Sequence, residues 1–189
     1  MIAYDTKEVT FDGKKLLLTT PIWESIQLGT VIPDLTELLN EEDALIERIA
    51  SEKPTTFALL HAPFTEVNER SRRLWGPVNH LNSIGETDEL RAIIEEGEKL
   101  ISLANSRALM HEGLYHAYVE YREKSEEYRT LGREEKKIID DRILDFELGG
   151  VALSSSKKIR MTEVKSRLAE LSTQIESNVK SAVGNCTFY

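Results

Sequence analysis

Along the second half of the chain, apolar residues return every three or four positions. Met161, Val164, Leu168, Leu171, Ile175, Asn178 and Ala182 alternate those two steps, a seam suited to packing along another helix. Leu90, Ile93, Ile94, Leu100, Ile101, Ala104 and Ala108 form a stripe behind Thr87 or Asp88, either of which can cap a helix. A further helix is predicted from about Glu112 to Tyr128 on Leu114, Tyr115, Tyr118, Val119 and Tyr121. Gly132 separates it from one carrying Ile138, Ile139, Ile143 and Phe146, which Gly149-Gly150 should close. Ser154-Ser155-Ser156 offers caps for the last helix.

Prolines organise the first half. Pro21, Pro33, Pro54, Pro63 and Pro77 all fall there, and none follows Pro77. From Thr30 the chain turns helical, with Pro33 suited to a first turn. Leu35, Leu38, Leu39, Leu45, Ile46 and Ile49 follow at helix spacing. Pro54 opens a second stretch capped by Thr55 or Thr56, bearing Phe57, Leu60, Phe64, Val67 and Leu74. Pro63 is expected to kink it, and Gly76-Pro77 to bend or break it near its end.

The opening differs in period. Val9-Thr10-Phe11 and Leu16-Leu17-Leu18 flank Asp12-Gly13, the usual signal for a two-residue hairpin turn. An isolated hairpin is marginal in water, so this segment reads as an arm that must dock on something. The pattern predicts an all-α domain of about six helices in an antiparallel arrangement, with an extended or hairpin N-terminal arm. Its divisions are an arm over 1–21, a helical domain over 22–183 and a tail over 184–189.

Composition narrows the class. The 189 residues are 40% hydrophobic and 30% charged, which suits a single folded domain. Lys plus Arg is 24 against 33 for Asp plus Glu, a net charge of −9, so neither nucleic acid nor an anionic membrane is an expected partner. The N-terminus carries no basic region followed by an apolar core, and a cytoplasmic location is expected, with an organellar matrix as the alternative. Cys186 is the one cysteine, which excludes an intrachain disulfide. Asn185-Cys186-Thr187 matches a glycosylation sequon by chance on this reading.

Candidate chemistry is sparse. His111-Glu112-Gly113-Leu114-Tyr115-His116 looks like a zinc-peptidase motif, but that motif spaces its histidines four apart. Five positions on a helix turn the two rings roughly 140° apart, and Gly113 weakens the platform. The stretch reads as a helix start, with Glu112 and His116 able to pair on the surface. His61 and His80 read as hydrogen-bonding residues, His80 in a polar turn, and Cys186 as a terminal residue without a positioned base. Glu41-Glu42-Asp43, Glu95-Glu96 and Asp140-Asp141 read as solvated faces, because adjacent helical side chains diverge. Exposed pairs Glu95–Lys99, Glu120–Lys124 and Glu163–Arg167 each add only ~0.2–0.5 kcal/mol. No catalytic, metal-binding or cofactor-binding residue is assigned, and no substrate-binding position is identifiable.

Four segments in order carry a resemblance. They are Pro77-Val78-Asn79-His80-Leu81-Asn82-Ser83; His111-Glu112-Gly113-Leu114-Tyr115 with Ala117-Tyr118; Asp145-Phe146-Glu147-Leu148-Gly149-Gly150-Val151-Ala152-Leu153; and Arg167-Leu168-Ala169-Glu170-Leu171 leading to Asn178-Val179. With Ile26-Gln27, Val31-Ile32-Pro33 and Leu38-Leu39-Asn40, they make residues 22 to 183 similar to the N-terminal region of the oligopeptidase A and thimet-oligopeptidase family of zinc metallopeptidases. The resemblance implies a helical wall of a deep channel that admits short peptides. It also implies that zinc, its ligands and the general base belong to a catalytic part outside this chain. The first 20 residues and the last six do not resemble the family.

Two functions follow. The chain supplies the channel wall of such a peptidase and is non-catalytic alone, its partner being the catalytic peptidase chain. Alternatively it is a repurposed interaction subunit of a larger assembly.

Overall fold

The computed structural model describes residues 2–12, 14–85 and 87–184. The chain opens with an antiparallel hairpin, β1 (Tyr4–Phe11) and β2 (Lys14–Pro21), in which Tyr4 lies opposite Pro21 and Val9 opposite Leu16. Asp12, at the tip, takes the left-handed conformation with φ 48°; Gly13 is outside the described residues. A short turn at Trp23–Ser25 leads into α1 (Leu28–Glu52), α2 (Phe57–Leu60), α3 (Ala62–Ile84) and α4 (Asp88–Leu109). Then come α5 (Glu112–Lys124), α6 (Glu126–Thr130), α7 (Arg133–Gly149) and α8 (Ser155–Gly184). Among the described residues, six of these are long helices, and α2 and α6 are single turns. The fold is all-α with an N-terminal hairpin.

Helix α1 is the spine, packing against α3, α4 and α5. Its first half feeds one core, where Val31, Leu35 and Leu38 meet Leu74, Trp75 and Val78 of α3, Leu90 of α4 and Ile2 of the arm. Its second half feeds another, where Leu45, Ile46 and Ile49 meet Leu60, Phe64, Leu114, Tyr118, Ile139, Ile143 and Phe146. Gly97 lets α4 close on α3 in the first core: a Cβ there would lie 2.0 Å from a Trp75 ring carbon.

Caps follow the chemistry expected. Thr56 accepts from the Leu59 N–H at 3.4 Å and Thr87 from the Leu90 N–H at 3.2 Å. Gly150 closes α7 at φ 100°, where a side chain would be strained.

Five expectations need correction. Helix α1 begins at Leu28, so Pro33 sits inside it instead of in its first turn. The second stretch breaks at His61, ahead of Pro63, which then starts α3 where a missing N–H costs nothing. Pro77 does not end that helix, which continues to Ile84 with His80 inside it; His80 packs against Trp23, ring centroids 5.5 Å apart. The predicted Glu112–Tyr128 helix divides at Ser125, whose hydroxyl donates to Thr55 O at 3.0 Å and accepts from Tyr128 N at 3.4 Å. Lastly, Glu41 and Asp43 are not simply solvated: Glu41 takes both guanidinium nitrogens of Arg70 on α3, and Asp43 takes Arg107 on α4 at 2.7 Å.

The arm does dock, at its base. Ile2 is buried, Ile22 N donates to Ala3 O at 2.8 Å, and Ala3 N donates to Ser25 Oγ at 3.0 Å. The farther ribbon stays open to solvent, with Leu16, Leu17 and Leu18 exposed.

Candidate functional site

At the second core, buried Tyr118 and half-buried His61, Arg142 and Glu42 come from four different helices. His61 ends α2, Tyr118 lies on α5, Arg142 on α7 and Glu42 on α1. The His61 Nδ1 and the Tyr118 hydroxyl are 3.0 Å apart, with the rings edge to face. Burial holds the His61 imidazole below its ordinary pKa, and the nearby Arg142 charge adds to that. Burial pushes the Tyr118 phenol up, so it stays protonated as a donor or acceptor. Glu42 is raised by burial, partly offset by Arg142, whose guanidinium lies 4.8 Å from the Phe146 ring centre. The set is a neutral imidazole–phenol pair beside a cation and a reluctant carboxylate. It positions four helices and presents no activated nucleophile, since both pair members stay uncharged.

The His111–His116 segment resolves differently. His111 is the N-cap of α5: its Nδ1 accepts from the Leu114 N–H at 3.0 Å, and its Nε2 lies 3.2 Å from Glu47 Oε1. Both ring nitrogens are committed. Glu112 takes Lys158 at 2.5 Å instead of pairing with His116, and Lys158 holds its carboxyl below the usual carboxylate range. His116 is exposed beside Tyr115. These donors do not fit a zinc ion. Among the described residues, no three His, Cys, Asp or Glu side chains converge as metal ligands would. Cys186 and the sequon lie outside the described residues.

Two recesses flank these clusters. One, of about 250 Å³, lies under the docked arm between α1 and α3, with Ile2, Tyr4, Leu38 and Leu74 as its apolar lining and Asp34 and Arg73 among its polar groups. The other, of about 440 Å³, opens between α4, α7 and the start of α8, with Asn105, Arg142 and Lys165 around it. Sequence reasoning missed both and missed Arg142, and it read Glu42 as solvated where burial raises its pKa. The one available signal was Glu42 itself, a carboxylate on the α1 stripe, four after Leu38 and three before Leu45.

Helix α8 meets the bundle through its first turns. Lys158 reaches Glu112, Lys165 Nζ approaches Gly149 O at 3.4 Å, and Met161 lies against Gly150. Beyond these, Val164, Leu168, Leu171, Ile175 and Val179 are exposed, so the predicted seam has formed but covers nothing among the described residues. Of the expected surface pairs, Glu120–Lys124 is present at 2.8 Å, while Glu163 pairs with Arg160 at 2.8 Å.

The model of the neurolysin/thimet oligopeptidase N-terminal domain matches residues 35–158, from the middle of α1 to the start of α8. The chain belongs to this family. It is 37% identical over 163 residues to oligopeptidase A of Escherichia coli K12, covering 86% of this chain and 24% of that protein. Oligopeptidase A of Haemophilus influenzae is 33% identical over 162 residues. The probable cytosolic oligopeptidase A of Arabidopsis thaliana is 26% identical over 162. The chain spans about a quarter of the length of these relatives. The matched span contains the second core, the first except for Ile2 and Val31, and all four histidines, whereas the hairpin and most of α8 fall outside it.

No helix among the described residues is long and apolar enough to cross a membrane.

Proposed function

We propose that this chain is the N-terminal helical domain of an oligopeptidase A-like zinc metallopeptidase. It forms one wall of the channel that restricts the enzyme to short peptides, and it is non-catalytic by itself. The observation that carries this reading is the family match across 35–158 in a chain equivalent to a quarter of its relatives. The commitment of both His111 nitrogens to structural bonds supports it, because it takes His111 out of the candidates for a zinc ligand. Its partner is the catalytic peptidase part, carrying His-Glu-x-x-His. An acidic surface fits neither nucleic acid nor membrane as a partner, and the cytoplasm or an organellar matrix is the expected location.

The test pairs the 189-residue chain with a peptidase chain containing His-Glu-x-x-His. Chelator-sensitive cleavage of short fluorogenic peptides by the mixture, absent from this chain alone, supports the proposal. Cleavage by this chain alone, or its isolation from cells in a stable assembly without any such peptidase, overturns it.

One observation favours the second reading, a repurposed interaction subunit: apolar side chains are exposed on α8 and on the hairpin, both largely outside the family match.

A further inference from the structure

We infer that the recess between α4, α7 and the start of α8 holds the C-terminal carboxylate of a short peptide with an apolar last residue, and that Arg142 binds it. That the carboxylate belongs to a peptide rests on the proposed function; that the recess takes a carboxylate does not.

Arg142 stands apart from the other arginines. Among the described residues three arginines are half-buried: Arg70, Arg122 and Arg142. Glu41 takes Arg70, and Asp140 lies 3.9 Å from Arg122. Arg142 forms no ion pair and no hydrogen bond with any described residue. Its contact is the Phe146 ring, whose centre lies 4.8 Å from the guanidinium carbon. An aromatic face steadies the guanidinium and leaves its N–H donors unused. A half-buried charge without a partner is costly, and a planar fork of donors matches a carboxylate through two parallel bonds. Glu42 feels the Arg142 charge without a hydrogen bond to it, and Asp145 stands exposed at the rim.

The recess supplies the rest of the site. Its volume of about 440 Å³ falls within the ~300–1,000 Å³ of small-ligand sites. Ala108 and Leu109 of α4 and Leu148 of α7 give it an apolar lining, and Leu148 is 67% exposed. Gly149 lets α7 rest against α4 beside it, since a Cβ there would lie 2.7 Å from the Leu109 Cβ. Lys165 adds a second cation, its Nζ 3.4 Å from Gly149 O. Gly149 follows Arg142 by two turns, about 10 Å along α7, so Arg142 makes the fork and Lys165 attracts from the far wall. Against these two cations Asp145 is the one carboxylate in the lining. The recess is thus positive in a chain of net charge −9.

Charge and lining together select the ligand. A terminal carboxylate is one bond from the Cα that bears the last side chain, so a single residue meets both Arg142 and the leucines. An acidic side chain or a phosphate brings the charge without the apolar group.

Titration of the 189-residue chain with acetyl-glycyl-leucine tests this, read by calorimetry and by the NMR signal of the Arg142 Nε–H. One molecule should bind per chain and shift that signal. The C-terminal amide of the same peptide should bind about tenfold more weakly or worse, a comparison that needs no variant. Arg142→Gln should cost about tenfold or more, and Lys165→Gln less. Equal binding of acid and amide overturns the inference. So does binding that leaves the Arg142 signal in place or survives Arg142→Gln, and so does no binding at millimolar peptide. Inorganic phosphate that competes as well as the peptide also overturns it, because the recess would then be a general anion site. None of these outcomes involves cleavage, so each leaves the chelator test of the proposed function standing.

Discussion

The Tyr4 hydroxyl donates to the main-chain carbonyl of Arg73 at 2.5 Å. That carbonyl stands four residues before Pro77, which has no N–H to offer it. The arm thus supplies the donor that lets α3 run through its proline to Ile84. The Arg73 guanidinium closes over the same ring, 5.7 Å from its centre, while its Nε donates to Glu69 at 2.9 Å.

Tyr4→Phe keeps the ring and removes the donor. It should cost about 1 kcal/mol, the usual net value of one hydrogen bond. Amide exchange should quicken across the base of the hairpin and around Pro77. Unchanged exchange in both places would show that the bond does not couple arm to helix.

Gly97→Ala inserts a methyl group into the space of the Trp75 ring, whose indole N–H donates to Glu98 at 3.2 Å. Overpacking of this kind costs ~1–3 kcal/mol, more than the ~1 kcal/mol that alanine gains in helix propensity. Urea unfolding should show net destabilisation, and Trp75→Leu should relieve it in the double variant. A single variant as stable as the parent would mean that the α3–α4 contact shifts freely.

Glu127 joins three elements through one carboxylate oxygen, which accepts from the Tyr121 hydroxyl at 2.7 Å and from the Phe57 N–H at 2.6 Å. Bonds to a charged acceptor are worth ~1.5–3 kcal/mol each, and here two are lost together. Glu127→Ala should lower stability by about 3–6 kcal/mol in denaturant titration. It should also loosen α2 first, seen as faster exchange at Phe57.

The pH dependence has two opposed parts. His61 is held neutral in the fold, so the unfolded chain takes up its proton first as pH falls. Its contribution is complete above the ordinary imidazole pKa of about 6.5 and is lost as pH drops below it. Glu42 is raised in the fold, so its contribution is complete below its ordinary pKa and is lost as pH climbs through the raised value. In a Glu42→Gln background, unfolding free energy should therefore fall between pH 7 and about pH 5, and adding His61→Gln should flatten that slope. A slope that survives the second substitution would place the proton elsewhere.

The helices were legible because each is a local matter. The stripes of α4 and α7, the caps Thr56 and Thr87, and the left-handed Gly150 all follow from residues within a few positions of one another. The hairpin was legible from Asp12-Gly13 between two apolar runs. The family, too, could be recognised in sequence, since its marks are short segments in order.

What the sequence left open depends on residues far apart in the chain. Whether Pro77 ends a helix depends on Tyr4, a donor 69 residues from the carbonyl it serves. Whether Glu41 and Asp43 are solvated depends on Arg70 and Arg107, and Glu42 is raised by burial that Arg142 only partly offsets. His111 could be read as part of a helix start, but its contact with Glu47 depends on a residue 64 positions away. Periodicity shows which face of a helix is apolar, because that repeats every turn. Only the tertiary structure decides what covers the face, because that is set by where the chain returns; along α8, from Val164 onward, the seam is left bare.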